Sequence, residues 1–387
     1  MAGGGIAGLS SAAFLARAGH KVVIYDKAPE PRPVGSGLIV QPTGQSVLAE
    51  LGLLEALVMR GARLKRLDGR LQGGKRKVLD VRYDALGAGT FGLAVHRAAL
   101  FDLLLHTASE AKAELDYGEE VSTVEASANG VSLRFADGRQ SPSFDLMIDA
   151  LGVRSPLVER QNCYLPFGAL WANAPFPLAH DFDETVLAQR YRSANVSSGV
   201  MPIGSMEPGG EKLAAFFWTL RADSYQAWRD APLDQWKDKV LELWPEAAPV
   251  LSAFTSHDQF VFAHYAHHTA KHAVEGRIVH IGDAWHAASP QLGQGANMAL
   301  LDALALSNAL NEMDDIGAAL AMFVNSRRDH VRLYQTISWL FTPVYQSNLK
   351  LVPALRDLLA QPLSAMWPMP KLLASMVAGT LGRPCKS

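Results

Sequence analysis

The sequence predicts an α/β fold that is interrupted by an antiparallel sheet and followed by a helical region. Three observations support this prediction. A glycine turn near the start leads into a helical stretch and a short apolar strand. Aromatic residues and alternating strands then occupy residues 164–270, and the α/β pattern returns at Arg277. We therefore expect a first α/β part over 1–163, an inserted domain over 164–270, a second α/β part over 271–330 and C-terminal helices over 331–387.

The composition excludes several classes of protein. The 387 residues include 49% hydrophobic and 19% charged residues, which supports a large core and argues against disorder. With 36 basic and 38 acidic residues the chain has no charge excess that would attract nucleic acid. Two cysteines are too few for a disulfide framework, and the histidines between 257 and 272 have no cysteine and only Asp258 as a nearby acid, which disfavours a metal site. We expect a cytoplasmic protein with no metal and no integral membrane segment.

The first motif with chemical meaning is the glycine turn Gly3–Gly8, which has the spacing G-x-G-x-x-G. A predicted helix over Leu9–Ala18, an apolar strand over Val22–Tyr25 and then Asp26 follow it. Glycines permit a tight turn and let backbone N–H groups approach a pyrophosphate at the start of a helix. An acid at the end of the next strand accepts hydrogen bonds from ribose hydroxyls. This order of elements predicts a dinucleotide-binding unit.

The strand that normally precedes such a turn is missing from the sequence. Only Met1 and Ala2 stand before Gly3, whereas the motif usually follows about five buried apolar residues. That strand lies in the middle of the sheet, and its loss would leave its neighbours partly unpaired. We therefore expect the native chain to begin upstream of Met1, which the intact mass of the native protein would test.

The remaining elements of the α/β parts follow from hydrophobic periodicity. The apolar spacing predicts two helices before the inserted domain, over Ser46–Met59 and Val95–Ala111. Alternating or continuous apolar runs predict the strands Val121–Ala126, Val131–Phe135, Leu146–Ala150, Val186–Arg192 and Leu213–Leu220. Prolines divide the apolar stretch Leu351–Leu381, which favours short packed helices.

A second block with chemical meaning begins with the predicted strand Arg277–Ile281. The strand is followed by Gly282-Asp283, then Pro290 and a glycine-rich loop that opens a helix over Gly295–Leu310. A carboxylate at the end of the strand can bind a polyol chain by hydrogen bonds. The free N–H groups at the start of the helix can stabilise negative charge on a ligand.

Together these motifs resemble the class A flavoprotein monooxygenases, the para-hydroxybenzoate hydroxylase-like family, over nearly the whole chain. The family's H-R-x-x-L element matches His96–Leu100, and its G-D-A-x-H…P…G-Q-G block matches residues from Gly282 to Gly295. The resemblance implies a FAD-binding Rossmann-like domain of the glutathione-reductase type. It implies that FAD is bound by Gly3, Gly5, Ile6, Ala7, Gly8, Asp26, Lys27, Arg97, Val121, Asp283, Gly293, Gly295, Ala296 and Asn297.

The implied activity is hydroxylation of a small aromatic or related electron-rich substrate. NADH or NADPH would reduce FAD, O₂ would add at flavin C4a, and the hydroperoxide would transfer one oxygen atom. Pro290 and His286 are the candidate catalytic residues, although His286 could instead fix the loop through a backbone hydrogen bond. Tyr191, Phe216 and Trp218 either line the substrate pocket or fill the core under the sheet. A homodimer is compatible with this assignment.

The sequence departs from the family at one landmark. The family's Asp-Gly-x-Arg-Ser is represented by Gly152, Arg154 and Ser155, but Leu151 occupies the place of the acid. Asp149 lies two positions earlier on the same face of a strand, about 7 Å away, and is a poor substitute. Three alternatives therefore stay open: a same-fold oxidoreductase or dehydrogenase, an oxygenase supplied with externally reduced flavin, and a FAD-stabilised binding protein without activity.

Overall fold

The computed structural model describes residues 1–31, 35–127, 130–159, 163–177, 182–382 and 384. The strands of this part, numbered in chain order, are β1 (Val23–Asp26), β2 (Gly37–Val40), β3 (Ala62–Leu64), β4 (Arg66–Leu71), β5 (Lys77–Arg82), β6 (Gly92–His96), β7 (Glu114–Tyr117), β8 (Val121–Ala126), β9 (Val131–Phe135), β10 (Met147–Asp149), β11 (Tyr164–Pro175), β12 (Val186–Arg192), β13 (Val196–Gly204), β14 (Leu213–Arg221), β15 (Val261–Ala266), β16 (Val274–Glu275) and β17 (Ile278–His280). Its helices are α1 (Ile6–Arg17), α2 (Pro42–Glu50), α3 (Leu54–Val58), α4 (Arg97–Glu110), α5 (Tyr225–Asp230), α6 (Leu233–Leu243), α7 (Ala248–Leu251), α8 (Asp283–His286), α9 (Gly295–Glu312), α10 (Ile316–Tyr345), α11 (Leu351–Ala365) and α12 (Met369–Ala378).

The central sheet of the α/β part contains β7, β1, β10, β17 and β16, and Ala2 joins its two halves. Ala2 forms parallel bridges to Tyr25 of β1 and to Asp149 of β10. Its N–H donates to the Ile148 carbonyl at 2.9 Å, and the N–H of Tyr25 donates to the Met1 carbonyl at 3.0 Å. Residues 1 and 2 thus lie where the strand before the glycine turn was expected, and the upstream start stays a prediction.

Helices α1, α4 and α9 pack around this sheet and bury its apolar core. Leu9, Ala12 and Ala13 of α1 are fully buried, and α1 lies against both α9 and α4. Small residues at the contact let the helix axes approach closely. The packing brings the start of α1 and the start of α9 to the same region of the molecule, because the loop at Gly282 meets Ala7 on one side and Ala299 on the other.

The second large sheet has seven strands in the order β15-β11-β14-β13-β12-β4-β5. Its pairings are antiparallel except for the parallel pair β12–β4. Strands β4 and β5 come from residues 66–82, which the sequence analysis placed in the first α/β part. The inserted sheet is therefore completed by a hairpin from outside 164–270, because the open edge of β12 is paired by β4.

Two predicted helices differ from the structure at their boundaries. The predicted helix Ser46–Met59 is divided into α2 and α3 at Gly52, whose φ of 69° ends the first helix. The predicted helix Val95–Ala111 begins only at Arg97, because β6 continues to His96. The His96 Nδ1 then accepts the N–H of Ala98 at 3.2 Å and caps α4.

The C-terminal region is helical, as predicted, with α10, α11 and α12 in succession. Proline residues lie at or near the ends of these helices: Pro343 in the last turn of α10, Pro362 in the last turn of α11, and Pro368 just before α12. Within the described part of the chain, none of the helices combines the length and the apolar character that crossing a bilayer requires.

Candidate active site

The glycine turn has the geometry of an anion-binding helix start. Gly3 has a φ of 101°, and a Cβ added at Gly8 would lie 1.9 Å from the Gly3 carbonyl oxygen. A Cβ added at Gly5 would meet no atom within 4 Å, so the space in front of the turn is open. Helix α1 begins at Ile6, and its first N–H groups have no partner within the helix. These features are those of a turn that receives a pyrophosphate.

Asp26 lies at the end of β1 and is tied to this turn. One carboxylate oxygen accepts the N–H of Gly4 at 2.6 Å, and the other accepts the N–H of Ala28 at 2.8 Å. These bonds fix the carboxylate beside the turn, while each oxygen keeps a second lone pair for a ligand hydroxyl. The neighbouring Lys27 is exposed and pairs with Glu120 at 3.5 Å.

The second loop begins at Gly282, whose φ of 56° is in the left-handed region. Asp283 follows as the first residue of α8 and is exposed at the loop surface. Gly295 lies close to it, because a Cβ added there would be 3.8 Å from an Asp283 carboxylate oxygen. Helix α9 starts at Gly295, so its free N–H groups lie near the Asp283 carboxylate.

A fully buried carboxylate, Asp302, holds the Gly282 loop from behind. It accepts the N–H of Gly282 at 2.9 Å, the Nε2 of His286 at 2.6 Å and the Nε of Arg327 at 2.9 Å. Burial by itself raises the pKa of Asp302, but the charges of His286 and Arg327 outweigh it and lower that pKa to about 2. The carboxylate is therefore ionised and binds two helices and the loop together.

This contact gives His286 a structural role, and its assignment as a catalytic residue stays a prediction. Its side chain is buried, it is not among the described residues that line the cavity, and its partner is Asp302. The alternative expectation, that His286 fixes the loop, agrees with the structure, although the partner is a carboxylate and not a backbone group. The sequence gave no local signal for this pairing, since Asp302 lies sixteen residues after His286 on a different helix.

Arg327 and His330 of α10 extend the buried network. Arg327 donates to the Pro384 carbonyl and lies 3.2 Å from the His330 Nδ1. The His330 Nε2 is 3.0 Å from the Gly379 carbonyl oxygen. Burial, followed by the charge of Arg327, lowers the pKa of His330 to about 4, so this ring is neutral near pH 7. Neither residue was identified from the sequence, because nothing local marks a helix residue that pairs 25 positions away.

The side chain of Asn297 has a structural role. It is fully buried, its Oδ1 accepts the N–H of Gln41 at 2.8 Å, and its Nδ2 donates to the Ile39 and Gly293 carbonyls at 3.0 Å. These bonds join the end of β2 to the glycine-rich loop. Asn297 can thus serve a ligand only through its backbone N–H at the start of α9.

Arg97 and Val121, like Asn297, Asp26, Lys27 and the residues of the glycine turn, lie outside the described lining of the cavity. Arg97 is exposed at the start of α4 and lies against Gly35, where an added Cβ would be 3.1 Å from the Arg97 Cδ. Val121 is buried in a cluster with Tyr25 and Phe135. Their proposed contacts with the cofactor stay predictions.

The carboxylate of Asp149 accepts hydrogen bonds from the turn that carries Leu151. Asp149 is fully buried and accepts the N–H of Leu151 at 3.0 Å, the hydroxyl of Ser155 at 2.6 Å and the Nδ1 of His280 at 2.7 Å. Asp149 therefore satisfies the polar groups of the turn, while the expectation that it is a poor substitute for the family acid toward a nucleotide stays a prediction. The turn also abuts the glycine motif, because a Cβ at Gly3 would lie 3.0 Å from the Leu151 nitrogen.

A cavity of about 310 Å³ connects the second loop with the large sheet. One wall is formed by Asp283 and by the loop from Pro290 to Ala296. The opposite wall consists of side chains from the seven-stranded sheet and from α10, among them Trp171, Tyr191, Phe217, Tyr265, Phe341 and Tyr345. The C-terminal helices contribute residues that the sequence gave no reason to select, because their pattern shows only that they pack.

The structure corrects two of the three predicted pocket residues. Tyr191 lines the cavity, but Phe216 and Trp218 lie on the opposite face of β14, in the cluster covered by α6 and α7. Their neighbour Phe217 faces the cavity instead. Side chains alternate along a strand, so a register error of one residue exchanges the two faces completely.

Two polar atoms at the cavity wall have no partner among the described residues. They are the Nε2 of Gln41, which is fully buried, and the Oε1 of Gln294. A buried unsatisfied amide costs about 1–3 kcal/mol, so such groups normally have a ligand or water partner. A planar heterocycle with donors and acceptors on its edge fits this position. The loop, the open glycine turn and these amides are thus suited to a flavin dinucleotide.

Comparison with known proteins agrees with this geometry. The profile of the FAD binding domain family matches residues 1–320 of the chain. The FAD-dependent urate hydroxylase of Klebsiella pneumoniae is 28% identical over 346 residues, covering 85% of each chain. The salicylate hydroxylase of Pseudomonas putida is 27% identical over 402 residues, covering 94% of this chain and 89% of the relative.

A solved structure shares the fold. The structure of Klebsiella pneumoniae HpxO complexed with FAD and uric acid superimposes with a TM-score of 0.81 and 22% identity, covering 98% of this chain and 97% of that one. The chain therefore belongs to the FAD binding domain family. Within it, the protein is a FAD-dependent monooxygenase of the class A type that the sequence resembles.

Proposed function

We propose that the protein inserts one oxygen atom from O₂ into an uncharged aromatic or heteroaromatic ring that binds in the 310 Å³ cavity. One observation carries the proposal: the loop that is suited to FAD and the aromatic side chains of the sheet line the same cavity. FAD supplies the activation of O₂, with electrons from NADH or NADPH. The residues of the chain bind, orient and exclude water.

The loop wall has the groups that a flavin requires. Asp283 can accept hydrogen bonds from the ribityl hydroxyls, and the N–H groups of Gly295 and Ala296 can donate to the pyrimidine edge. The free amide of Gln41 supplies a further donor at this wall. The start of α9 favours negative charge, so it would stabilise a bound flavin more when the ring is reduced and anionic. Pro290 lies at the cavity lining, and its carbonyl accepts the N–H of Gly293 at 2.9 Å, so we assign it a positioning role in this turn.

The sheet wall provides an apolar slot for a ring. Trp171 and Phe217 pack against each other with ring centroids 5.0 Å apart, and Tyr191 and Tyr345 are 5.8 Å apart. Burial raises the pKa of Tyr345 to about 12 and raises the pKa of Tyr191 as well, so both phenols are neutral. The slot would therefore offer dispersion contacts to a planar ligand, and a ligand there would displace water from the rings.

Neutral polar groups at this wall can orient the substrate. The hydroxyls of Ser197 and Thr219 are 2.6 Å apart and line the cavity. Gln346 also lines it and accepts the amide of Gln291 at 3.3 Å. These groups can donate to and accept from a ring hydroxyl or a ring nitrogen, which fixes the carbon that receives the oxygen atom.

The charge of the cavity favours an uncharged substrate. Among the described lining residues, Asp283 at the loop wall is the one ionisable acid or base other than tyrosine. An arginine behind the sheet wall, Arg356, stacks on the rings of Tyr191 and Tyr345 at 5.2 and 5.3 Å. Its N–H groups already donate to the Val344 and Ser193 carbonyls and to Asp357. A buried carboxylate without a cation is strongly disfavoured, so a carboxylate such as salicylate, for which one of the two relatives is named, should bind poorly here.

Matched ligands test this proposal. The FAD-loaded protein is titrated with 4-hydroxybenzamide and with 4-hydroxybenzoate, which have nearly the same shape and differ in charge, while flavin absorbance is recorded. We expect the amide to bind at least about tenfold more tightly, since a tenfold ratio corresponds to about 1.4 kcal/mol. Compounds that are converted are then identified by the NAD(P)H oxidation that they stimulate. When these reactions are run under ¹⁸O₂, the product should gain one labelled oxygen atom. Tighter binding of the benzoate, or product without the label, contradicts the proposal.

A further inference from the structure

Helix α11 presents a continuous apolar surface to solvent. Five leucines at positions 351, 355, 358, 359 and 363 fall on one side of the helix, at the spacing of an amphipathic face. They are between 43% and 72% exposed, and the turn after the helix adds Met366 at 59% and Trp367 at 90%. We call the following residues the α11 face: Leu351, Leu355, Leu358, Leu359, Leu363, Met366 and Trp367.

The other side of α11 attaches the helix to the protein. Pro353 and Arg356 are its buried residues, and Arg356 donates to the Val344 carbonyl at 3.0 Å and to the Ser193 carbonyl at 3.0 Å. The helix packs on β5, whose Leu79 and Val81 line the cavity. The α11 face is therefore held outward by contacts on the opposite side. An exposed apolar patch of this kind marks an interaction surface.

The charge around the α11 face indicates what covers it. Residues 350–387 include five basic residues and one acid, although the formal charge of the whole chain is −2. The single acid, Asp357, pairs with Arg356 at 2.6 Å, which leaves the other basic residues without a nearby acid in this segment. Lys350, just before the α11 face in the sequence, and Lys371, shortly after it, are both exposed. The basic C-terminal segment thus belongs to a chain that is otherwise acidic.

We propose that the α11 face docks the protein onto an anionic lipid bilayer, with the helix lying in the plane of the interface. Leucines and a tryptophan beside lysines are the composition of interfacial helices, in which apolar side chains enter the acyl boundary and lysines meet acidic headgroups. A second copy of the chain fits less well, because a two-fold contact would bring two basic segments together. The helix lies on the membrane and does not span it, since the described helices are unsuited to crossing.

Vesicle sedimentation tests this docking directly. The FAD-loaded full chain is spun with vesicles of phosphatidylcholine and phosphatidylglycerol at 3:1, and with pure phosphatidylcholine vesicles. We expect at least about tenfold more bound protein with the anionic vesicles, and a marked decrease in 0.5 M NaCl because salt screens the lysines. The double variant Leu358→Ser, Trp367→Ser should lose about tenfold or more in partitioning, because it removes two exposed apolar anchors.

The control variant is Met59→Ser, which alters an exposed apolar residue outside the face, 65% exposed, and should bind like the unmodified protein. Thermal unfolding and FAD retention should be the same for all three proteins, since every altered side chain is exposed. Equal binding to both kinds of vesicle, or no binding to either, overturns the proposal. A dimer in sedimentation velocity that the double variant dissociates, without vesicle binding, would assign the face to a second copy instead. The reaction chemistry is not involved in any of these readouts.

Discussion

The two walls of the cavity are built on different principles. The loop wall presents backbone groups and the Asp283 carboxylate, and a buried ionic network at Asp302 and Arg327 holds it from behind. The sheet wall presents aromatic rings and neutral hydroxyls, and an apolar cluster that includes Phe216 supports it from the far side. Under the proposed function, fixed electrostatics would serve the cofactor, whereas packing would shape the space for the substrate.

The support behind each wall therefore determines how a substitution acts. A change in the ionic network should release FAD and destabilise the fold together, because one carboxylate holds the loop and two helices. A change in the sheet should separate the two effects, since neighbouring residues of β14 face opposite sides. The predictions below test this difference, from the largest expected effect to the smallest.

Asp302→Ala should have the largest effect. It leaves Arg327 and His286 buried without their carboxylate and removes the acceptor for the Gly282 N–H, which should lower the free energy of unfolding by about 3–5 kcal/mol. Chemical denaturation and FAD retention on a desalting column measure the two consequences. Asp314→Ala, at an exposed acid after α9, should change stability by less than about 0.5 kcal/mol. A stable variant that keeps FAD would show that the network is dispensable.

Phe216→Ala and Phe217→Ala should separate stability from ligand binding. Phe216 is fully buried in the aromatic cluster, so its truncation should lower the free energy of unfolding by about 3–5 kcal/mol with ring affinity unchanged in the folded protein. Phe217 lines the cavity and is half-buried, so its loss should weaken binding of a neutral ring about tenfold at a smaller cost in stability. Calorimetric titration and urea unfolding distinguish them. If both variants lose only stability, or both lose only ring affinity, the assignment of Phe216 and Phe217 to opposite faces of β14 is wrong.

Mild acid should destabilise the ionic network through His330. Its pKa is lowered to about 4 in the folded protein, whereas a histidine in an unfolded chain titrates near 6.5. Between these values the unfolded chain binds a proton that the folded chain does not, so stability should fall as pH falls from 6.5 to about 4, by up to about 3 kcal/mol. Urea unfolding of His330→Gln should show a flatter pH dependence than the unmodified protein. Parallel curves for the two proteins would contradict this origin.

Asp283→Ala should weaken FAD binding without unfolding the protein. The exposed carboxylate would make a charge-assisted hydrogen bond to the ribityl chain of about 1.5–3 kcal/mol, so the FAD dissociation constant should rise about 10–150-fold. Asp283→Asn keeps one acceptor oxygen, so its FAD dissociation constant should lie between those of the unmodified protein and of Asp283→Ala. Fluorescence titration of apoprotein with FAD measures all three proteins. Equal affinities would remove Asp283 from the ribityl contact.

Leu151→Asp should have the smallest effect, on the rate of flavin reduction. An acid at this place restores the family pattern for handling the nicotinamide nucleotide, so the variant should bleach faster with NADH or NADPH in anaerobic stopped-flow. The gain should be less than about tenfold, about 1.4 kcal/mol, because Asp149 already satisfies the turn. Leu151→Asn is the uncharged control. Reduction of the unmodified protein above about 10 per second would show that Leu151 is harmless.

The sequence by itself determined the cofactor half of this protein. Gly3–Gly8, Asp26 and the block from Gly282 to Gly295 are short motifs whose function depends on local backbone geometry, such as the positive φ at Gly3 and Gly282. Local geometry is encoded by neighbouring residues, so spacing alone was enough to predict a FAD-binding fold. The helical C-terminal region was predictable for the same reason.

Only the tertiary structure decided which side chains form the sheet wall, where the proposed substrate would bind. The sheet wall collects side chains from β4, β5, β11–β15 and α10, and no local signal tells which face of a strand will turn to the cavity. Because side chains alternate along β14, the sequence analysis selected Phe216 and Trp218 as pocket residues and missed Phe217, which lies between them and faces the cavity. The pairing of Asp302 with Arg327 and of Asp149 with Ser155 was equally hidden. Those contacts form because packed helices and turns bring charges together in a low-dielectric interior, where an unpaired charge is not tolerated.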